Sequence, residues 1–213
     1  MSAGAHAVGP DDATPVVALV ASAGGVDALS RVLEPLPEDL PAAIIAQLHI
    51  DPASKSFLTA ILSRHCALPV VTTEDGMELL PSRVHVTPPG SHLLVTADAR
   101  AALIECGAFP PSRPSADLLL TTMAMAAGPR AIAVVLTGHG HDGATGATAI
   151  HRFGGTVLAS DKTSSEVFSM PSATIARDHA VDHVVALDDI PELLVALVSI
   201  PTLTGDAPSG VPG

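Results

Sequence analysis

Apolar runs of strand length alternate with amphipathic segments along most of this chain. The runs that predict buried strands are Val16–Ala21, Ala42–His49, Ala131–Thr137, Thr156–Ser160 and His183–Leu187. The segments that predict helices are Val26–Leu36, Ser56–Arg64, Ser115–Ala126, Ala144–Phe153, Pro171–His179 and Pro191–Val198, the last with Asp188 or Asp189 as its cap. Strands buried on both faces are continuous apolar runs, and repeated strand–helix units favour a parallel sheet. The pattern predicts an α/β fold: a doubly wound, mostly parallel sheet with helices on both faces.

The region of about 69–106 has a different sequence pattern, without the alternation of strands and helices. Short β-rich pieces there are separated by turn residues such as Asp75-Gly76 and Pro88-Pro89-Gly90. This favours an added antiparallel β-hairpin section that extends or covers the main sheet. Residues 1–14 and 201–213 are rich in Ala, Gly, Pro and Ser, and we predict flexible tails around one domain at 15–200.

Composition and charge narrow the class of protein. Hydrophobic residues make up 47% and charged residues 15%, which allows a large core. A formal charge of -12, with four Phe as the only aromatic residues, argues against nucleic-acid binding. No apolar run approaches the roughly 18 residues of a membrane span, and no secretory signal precedes the first strand. We therefore expect a cytoplasmic protein without direct membrane insertion, with Cys66 and Cys106 as unpaired thiols.

Three polar residues stand at the downstream ends of three predicted strands: Ser22, His49 and Asp142. An open α/β sheet binds its ligands beyond the carboxyl ends of its strands. Serine, histidine and aspartate are together the side chains that turn a hydroxyl into a nucleophile. The sequence predicts that the three converge into a hydrogen-bonded relay beside a solvent-facing crevice. Ser22 alone also fits an ordinary helix cap.

The turn around Asp142 leaves two further hypotheses open. Gly138, Gly140 and Gly143 form G-x-G-x-x-G between a strand and a helix, the pattern of a dinucleotide-binding domain, with Asp161 ending the next strand. The other hypothesis is a metal site. Its candidate ligands are His139, His141, Asp142 and His49.

The remaining histidines carry a surface or structural interpretation. They are His6, His65, His85, His92, His151, His179 and His183.

At the level of motifs, the chain resembles the catalytic domain of the CheB family, the bacterial chemotaxis-receptor methylesterases. The family is marked by a small-S-[TS]-G-G turn, an H-[ILM]-x-P segment and a T-G-x-G-x-D-G turn. The matching segments here are Ala21-Ser22-Ala23-Gly24-Gly25, His49-Ile50-Asp51-Pro52 and Thr137-Gly138-His139-Gly140-His141-Asp142-Gly143. Two more family-like pieces are Arg113-Pro114-Ser115-Ala116-Asp117 and Val167-Phe168-Ser169-Met170-Pro171. The likeness runs from about Val16 to Leu197 with all motifs in order.

This resemblance implies Ser22 as nucleophile, His49 as general base and acid, and Asp142 as the orienting carboxylate. It implies backbone amides of Ala23 and His139 as the oxyanion hole. The implied reaction is hydrolysis of glutamate methyl esters on the cytoplasmic helices of methylated chemoreceptors, releasing methanol. Deamidation of receptor glutamines would use the same acyl-enzyme. No cofactor and no metal are implied.

The chain departs from the family pattern at three places. Ala23 replaces the usual Thr or Ser, and His139 stands where many members have Met. Only about 15 residues precede the first strand, whereas many members carry an N-terminal receiver domain. We therefore expect an ungated enzyme, one gated by a separate response-regulator or receptor-complex partner, or one used outside chemotaxis. A serine-type esterase is the favoured prediction, ahead of a dinucleotide-binding domain, a metal-dependent hydrolase and a non-catalytic receptor-docking domain of the same fold.

Overall fold

A parallel sheet organises the structure, a computed structural model that describes residues 14–107 and 112–199. Its seven strands are, in spatial order, β3 (Val70–Thr72), β4 (Arg83–Val86), β2 (Ala43–Leu48), β1 (Val16–Ala21), β7 (Ala131–Val135), β8 (Thr156–Ser160) and β9 (His183–Val185). All neighbouring pairs in this sheet are parallel. Apart from Thr14, the predicted tails at 1–14 and 201–213 lie outside the described residues.

Helices cover both faces of the sheet. They are α1 (Gly25–Leu33), α2 (Leu58–Leu62), α3 (Ala116–Ala127), α4 (Ala144–Arg152), α5 (Ser169–Ile175) and α6 (Ile190–Ser199). One core joins the sheet to α1, α2 and α6, and a second joins it to α3, α4 and α5. Along β1, Val17 and Leu19 point into the first core and Ala18 and Val20 into the second. This double burial is the reason that β1 is apolar at every position.

No helix in the described part of the chain is long and apolar enough to cross a membrane. The longest, α3, has 12 residues.

The predicted fold class is confirmed, but the antiparallel section is smaller than 69–106. The hairpin consists of β5 (Ser91–Val95) and β6 (Ala101–Glu105). It packs on α3, where the Thr122 hydroxyl accepts a hydrogen bond from the Val95 amide at 3.1 Å. Strands β3 and β4 instead extend the main sheet in parallel. Pieces of three and four residues are too short for their sequence pattern to distinguish the two kinds of pairing.

Most helix ends differ from their predicted positions by one to four residues. Helix α5 begins at Ser169 and ends at Ile175, earlier than the predicted Pro171–His179, because proline is tolerated in a first turn. Asp188 and Asp189 do not cap the last helix. They belong to a 3-10 turn at Leu187–Asp189 that runs directly into α6.

The register of the central strands brings the three candidate residues to one edge. Ala21 of β1 is paired with Leu48 of β2, and the ladder continues with the His49 amide donating to the Ala21 carbonyl at 2.9 Å. On the other side, the Ser22 amide donates to the Thr137 carbonyl at 2.9 Å. The carboxyl ends of β2, β1 and β7 therefore lie side by side, as the sequence predicts.

His85 is a buried histidine in the interior of β4. Its side chain is inaccessible to solvent, and neither ring nitrogen has a hydrogen-bond partner among the described residues. Burial lowers the pKa of His85, and the positive charge of Arg83 lowers it further. The folded protein thus holds this imidazole in its neutral form, in agreement with a structural role.

We expect His85→Leu to make folding less sensitive to acid. Below the ordinary histidine pKa of about 6.5, the unfolded chain takes up a proton that the folded wild type resists. As pH falls below this value, the free energy of unfolding of the wild type should therefore decrease relative to that of the variant, by up to about 1.4 kcal/mol per pH unit. Urea unfolding of both proteins at pH 7.5 and 5.5 measures this. A stability difference that stays constant between the two pH values would contradict the prediction.

Candidate active site

A cleft of about 490 Å³ opens at the carboxyl edge of the sheet. Its lining residues are Ser22, His49, Ile50, Asp51, Pro52, Ser112, Arg113, His139 and Gly140. Two of the three predicted site residues therefore face one shared space. The third, Asp142, contacts His49 and is almost completely buried.

The His49 ring is hydrogen bonded to the Asp142 carboxylate. Its Nε2 lies 2.8 Å from Oδ2, and the two side chains are 11% and 7% exposed. An ionised carboxylate only accepts, so Nε2 carries the proton and the lone pair is left on Nδ1. This half of the predicted relay is present. Among the described residues no hydrogen bond joins the Ser22 hydroxyl to His49, and such bonds often tighten only with substrate.

The first turn of α3 surrounds the Asp142 carboxylate with donors. The amides of Ala116 and Asp117 donate to it at 2.6 and 3.0 Å, and the Ser115 hydroxyl donates at 3.1 Å. Burial raises the pKa of Asp142, but the hydrogen bonds from His49 and the two amides outweigh it and hold the pKa below its ordinary value. The positive end of the helix dipole acts in the same direction. Asp142 is therefore an anion at neutral pH.

The start of α3 is tied to the strand that carries His49. The buried Gln47 amide nitrogen donates to the Pro114 carbonyl at 3.3 Å. The Ile50 amide donates to the Arg113 carbonyl at 2.9 Å. These bonds place the residues before and after His49 against the segment that precedes the α3 donors.

Thr137 and Gly138 hold the turn that carries Ser22. The Thr137 hydroxyl donates to the Ala23 carbonyl at 3.0 Å and accepts from the Val167 amide at 2.8 Å. Gly138 packs directly on the serine: a Cβ at this position would lie 2.6 Å from the Ser22 Cβ. The close approach of the two turns requires glycine here.

The two predicted oxyanion donors lie beside Ser22. Ala23 follows it in the chain, and His139 follows Gly138, which touches it. Within residues 14–107 and 112–199, neither the Ala23 nor the His139 amide donates a hydrogen bond. Unengaged amides next to a nucleophile are what an oxyanion hole requires.

The two rival hypotheses find less support in the geometry. Among the described residues, no group of three His, Cys, Asp or Glu side chains could hold a metal ion. Both His139 and His141 are exposed. In the dinucleotide pattern, Gly138 is accounted for by its contact with Ser22, and the Asp161 carboxylate accepts hydrogen bonds within its own turn.

Sequence reasoning missed the role of α3 in holding the carboxylate. The chain predicts a helix from Ser115, and Ser115 does cap α3 by accepting from the Leu118 amide. No sequence signal says that this helix start faces Asp142. His92, for which the sequence favours a surface or structural role, is buried at 2% exposure, and its Nδ1 accepts a hydrogen bond from the Ser115 amide at 2.9 Å.

The fold and the site together define the class: this is a doubly wound α/β protein with a serine, a histidine and an aspartate at the carboxyl ends of three adjacent strands. The family model of the CheB methylesterases matches residues 17–194, and the chain belongs to that family. Its fold is similar to the CheB methylesterase catalytic domain of Thermotoga maritima. That likeness has a TM-score of 0.82 and 33% identity, over 87% of this chain and 99% of that one.

Named relatives are similar over most of the chain. A protein-glutamate methylesterase/protein-glutamine glutaminase of Myxococcus xanthus is 39% identical over 85% of this chain and 51% of its own length. One from Pectobacterium atrosepticum is 35% identical over 86% of this chain and 53% of its own length. The methylesterase FrzG of Myxococcus xanthus is 38% identical over 90% of this chain and 57% of its own length. The chain thus spans about half the length of these relatives.

We expect Gly138→Ala to displace Ser22 and reduce activity on an ester substrate by about 10–100-fold. The added methyl would meet Ser22 Cβ at 2.6 Å and Met170 Sδ at 2.4 Å, and only the methionine can move aside cheaply. Gly107→Ala is the control, because a Cβ there meets nothing within 4 Å. Steady-state rates at matched folded concentration measure the effect, and equal rates for both variants would contradict it.

We expect Asp142→Asn to destabilise the fold at neutral pH by about 1.5–3 kcal/mol, because charge-assisted hydrogen bonds are lost. The pKa of Asp142 is lowered in the folded state, so its stabilisation is present above the unfolded value, 3.8, and is lost as pH falls through the folded pKa. The stability gap between wild type and variant should accordingly shrink below that pH. Denaturant titrations at pH 7, 4 and 3 test this; a gap that widens in acid would be inconsistent.

Proposed function

We propose that this chain is a serine-type protein-glutamate methylesterase that hydrolyses glutamate methyl esters on chemoreceptor-type proteins. The observation that carries the proposal is the His49 Nε2–Asp142 Oδ2 bond of 2.8 Å beside a cleft that Ser22 shares. Membership of the CheB methylesterase family supports the same chemistry. The similar proteins of Myxococcus and Pectobacterium are named for glutamate methyl esters and glutamine amides.

In the proposed first half-reaction, Ser22 attacks the ester carbonyl carbon and His49 Nδ1 takes the hydroxyl proton. Asp142 stabilises the imidazolium through the proton on Nε2. The carbonyl oxygen becomes an oxyanion, which accepts hydrogen bonds from the amides of Ala23 and His139. Collapse of this intermediate breaks the bond to the methoxy oxygen. The proton on His49 Nδ1 passes to that oxygen, and methanol leaves.

In the second half-reaction, water hydrolyses the acyl-enzyme. His49 Nδ1 removes a proton from water as its oxygen attacks the acyl carbon, and the same amides hold the new oxyanion. Expulsion of the Ser22 oxygen, reprotonated by His49, leaves a glutamic acid side chain on the substrate, which releases its remaining proton to solvent and becomes a carboxylate. A glutamine side chain would follow the same route with ammonia as the leaving group, so deamidation needs no additional residue.

The local charge at the cleft is more favourable for the approach of an acidic receptor surface than the net charge of the whole chain is. The chain carries a formal charge of -12. Among the described residues that line the cleft, Arg113 is a permanent cation and Asp51 is the one carboxylate. The docking face of an acidic enzyme is therefore locally less negative, which weakens the repulsion of acidic partners.

The departures at residues 23 and 139 are compatible with the proposal. Both residues would act through their backbone amides, and the backbone N–H is present in every residue type except proline. His139 lines the cleft and is exposed, so its ring changes the surface that a substrate meets rather than the position of the donor. The partners proposed are methylated chemoreceptor helices and a separate response-regulator or receptor-complex protein.

We expect Ser22→Ala to lower methanol release from a methylated chemoreceptor cytoplasmic fragment by roughly 10³-fold or more, because the members of a triad act as a unit. The matched control is Ser112→Ala, which removes a second hydroxyl from the same cleft. Methanol is measured by coupled oxidation, and circular dichroism verifies that both variants are folded.

Retention of the wild-type rate by Ser22→Ala would remove Ser22 as nucleophile. Equal loss in Ser112→Ala would assign the effect to the cleft rather than to one hydroxyl. A wild-type protein that binds the fragment without releasing methanol would favour the non-catalytic docking domain.

A further inference from the structure

We propose that Asp117 is a positioning residue that holds Asp142 in its orientation toward His49. This inference rests on the proposed function, because it adds a residue to the same catalytic group. Asp117 does not line the cleft, and its side chain is partly buried at the start of α3. Its effect would therefore be transmitted entirely through Asp142.

Asp117 forms hydrogen bonds to the Asp142 region both through its carboxylate and through its main-chain amide. Its Oδ1 accepts hydrogen bonds from the amides of Gly143 at 3.0 Å and Gly146 at 2.8 Å. Its own amide donates to Asp142 Oδ1 at 3.0 Å. The Gly143 amide belongs to the peptide bond that follows Asp142. One residue thus restrains both the main chain beside the carboxylate and the carboxylate itself.

The two aspartates hold the two helices in a reciprocal arrangement. The carboxylate of Asp142, just before α4, binds amides in the first turn of α3. The carboxylate of Asp117, in the first turn of α3, binds amides at the start of α4. Each negative charge lies at the positive end of the other element's helix dipole and satisfies amides that have no partner within their own helix.

Glycine at position 146 makes this close approach possible. A Cβ there would lie 2.5 Å from the Leu120 Cβ and 3.2 Å from the Asp117 main chain. Without a side chain at Gly146, α4 comes close enough to α3 for its amide to reach Asp117. The restraint on Asp142 is therefore built from the packing of two helices, which makes it stiff.

Precise placement of Asp142 matters because one of its oxygens has two partners. Oδ2 accepts from His49 Nε2 at 2.8 Å and from the Ala116 amide at 2.6 Å. A small rotation of the carboxylate would strengthen one bond at the expense of the other. Misplacement of a catalytic group by about 1 Å can cost about 10²-fold in rate.

A simple helix cap and a positioning residue predict different results. A simple cap would stabilise α4 and leave the His49–Asp142 bond unchanged. A positioning residue changes that bond even in a folded variant. The proton on His49 Nε2 reports the bond directly as a downfield resonance in the proton NMR spectrum, assigned by its loss in His49→Gln.

The experiment compares Asp117→Ala, Asp117→Asn and the control Asp182→Ala. The Asp182 carboxylate accepts from the Val157 amide at 2.8 Å, an interaction of the same kind, and it does not line the cleft. The wild type and the three variants are measured for kcat and KM on a methyl-ester substrate, for thermal stability, and for the His49 resonance.

We expect Asp117→Ala to lower kcat by about 10–100-fold with KM within about threefold, because binding residues are untouched. Its His49 resonance should shift or broaden. Asp117→Asn keeps an oxygen acceptor for Gly143 and Gly146 but loses the charge, so it should restore most of kcat and show a smaller shift. Asp182→Ala should lose stability while keeping the resonance and kcat of wild type.

The proposal is overturned if folded Asp117→Ala keeps the wild-type resonance and kcat, or if Asp182→Ala changes them equally. If Asp117→Ala does not fold, Asp117→Asn decides by its resonance alone: a His49 resonance identical to that of the wild type overturns the proposal. The NMR result needs no substrate. A wild type that releases no methanol, with a resonance that still responds to Asp117, would therefore refute the proposed function and support the positioning role.

Discussion

The rest of the site depends on the burial of one charge, the carboxylate of Asp142. An ionised carboxylate moved out of water is strongly unfavourable unless it is hydrogen bonded. Here a 7% exposed side chain receives hydrogen bonds from His49, Ser115, Ala116 and Asp117. Because three of these donors belong to the start of α3, that helix has to begin beside the carboxyl end of β7.

Many other features follow from that placement. The segment before α3 crosses the edge of the sheet and is tied by Pro114 and Arg113 to the end of β2, where His49 stands. The two small residues that meet at the centre of the site, Ser22 and Gly138, allow the turns after β1 and β7 to touch. The hydrophobic cores on the two faces of the sheet keep these strand ends in register. Packing thus supplies the rigidity that the polar groups at the edge require.

Features that depend on residues close together in the sequence could be predicted, whereas features that depend on contacts between distant residues could not. The convergence of Ser22, His49 and Asp142 could be predicted because each follows an apolar run, and parallel strands end at a common edge. Strand β1 and helix α3 could be placed to within a residue, since periodicity and capping are local signals. The pairing of Arg83–Val86 could not, because a parallel and an antiparallel strand of four residues have the same pattern.

The amino-acid sequence by itself determined the α/β class, the order of its elements and the three polar residues at the strand ends, because periodicity and chain order carry that information. Only the tertiary structure decided that the first turn of α3 encloses Asp142 and that Asp117 reaches across to α4. Those contacts join residues 25 to 29 positions apart. Their formation depends on how two helices pack over a sheet, and no local pattern of residues records that packing.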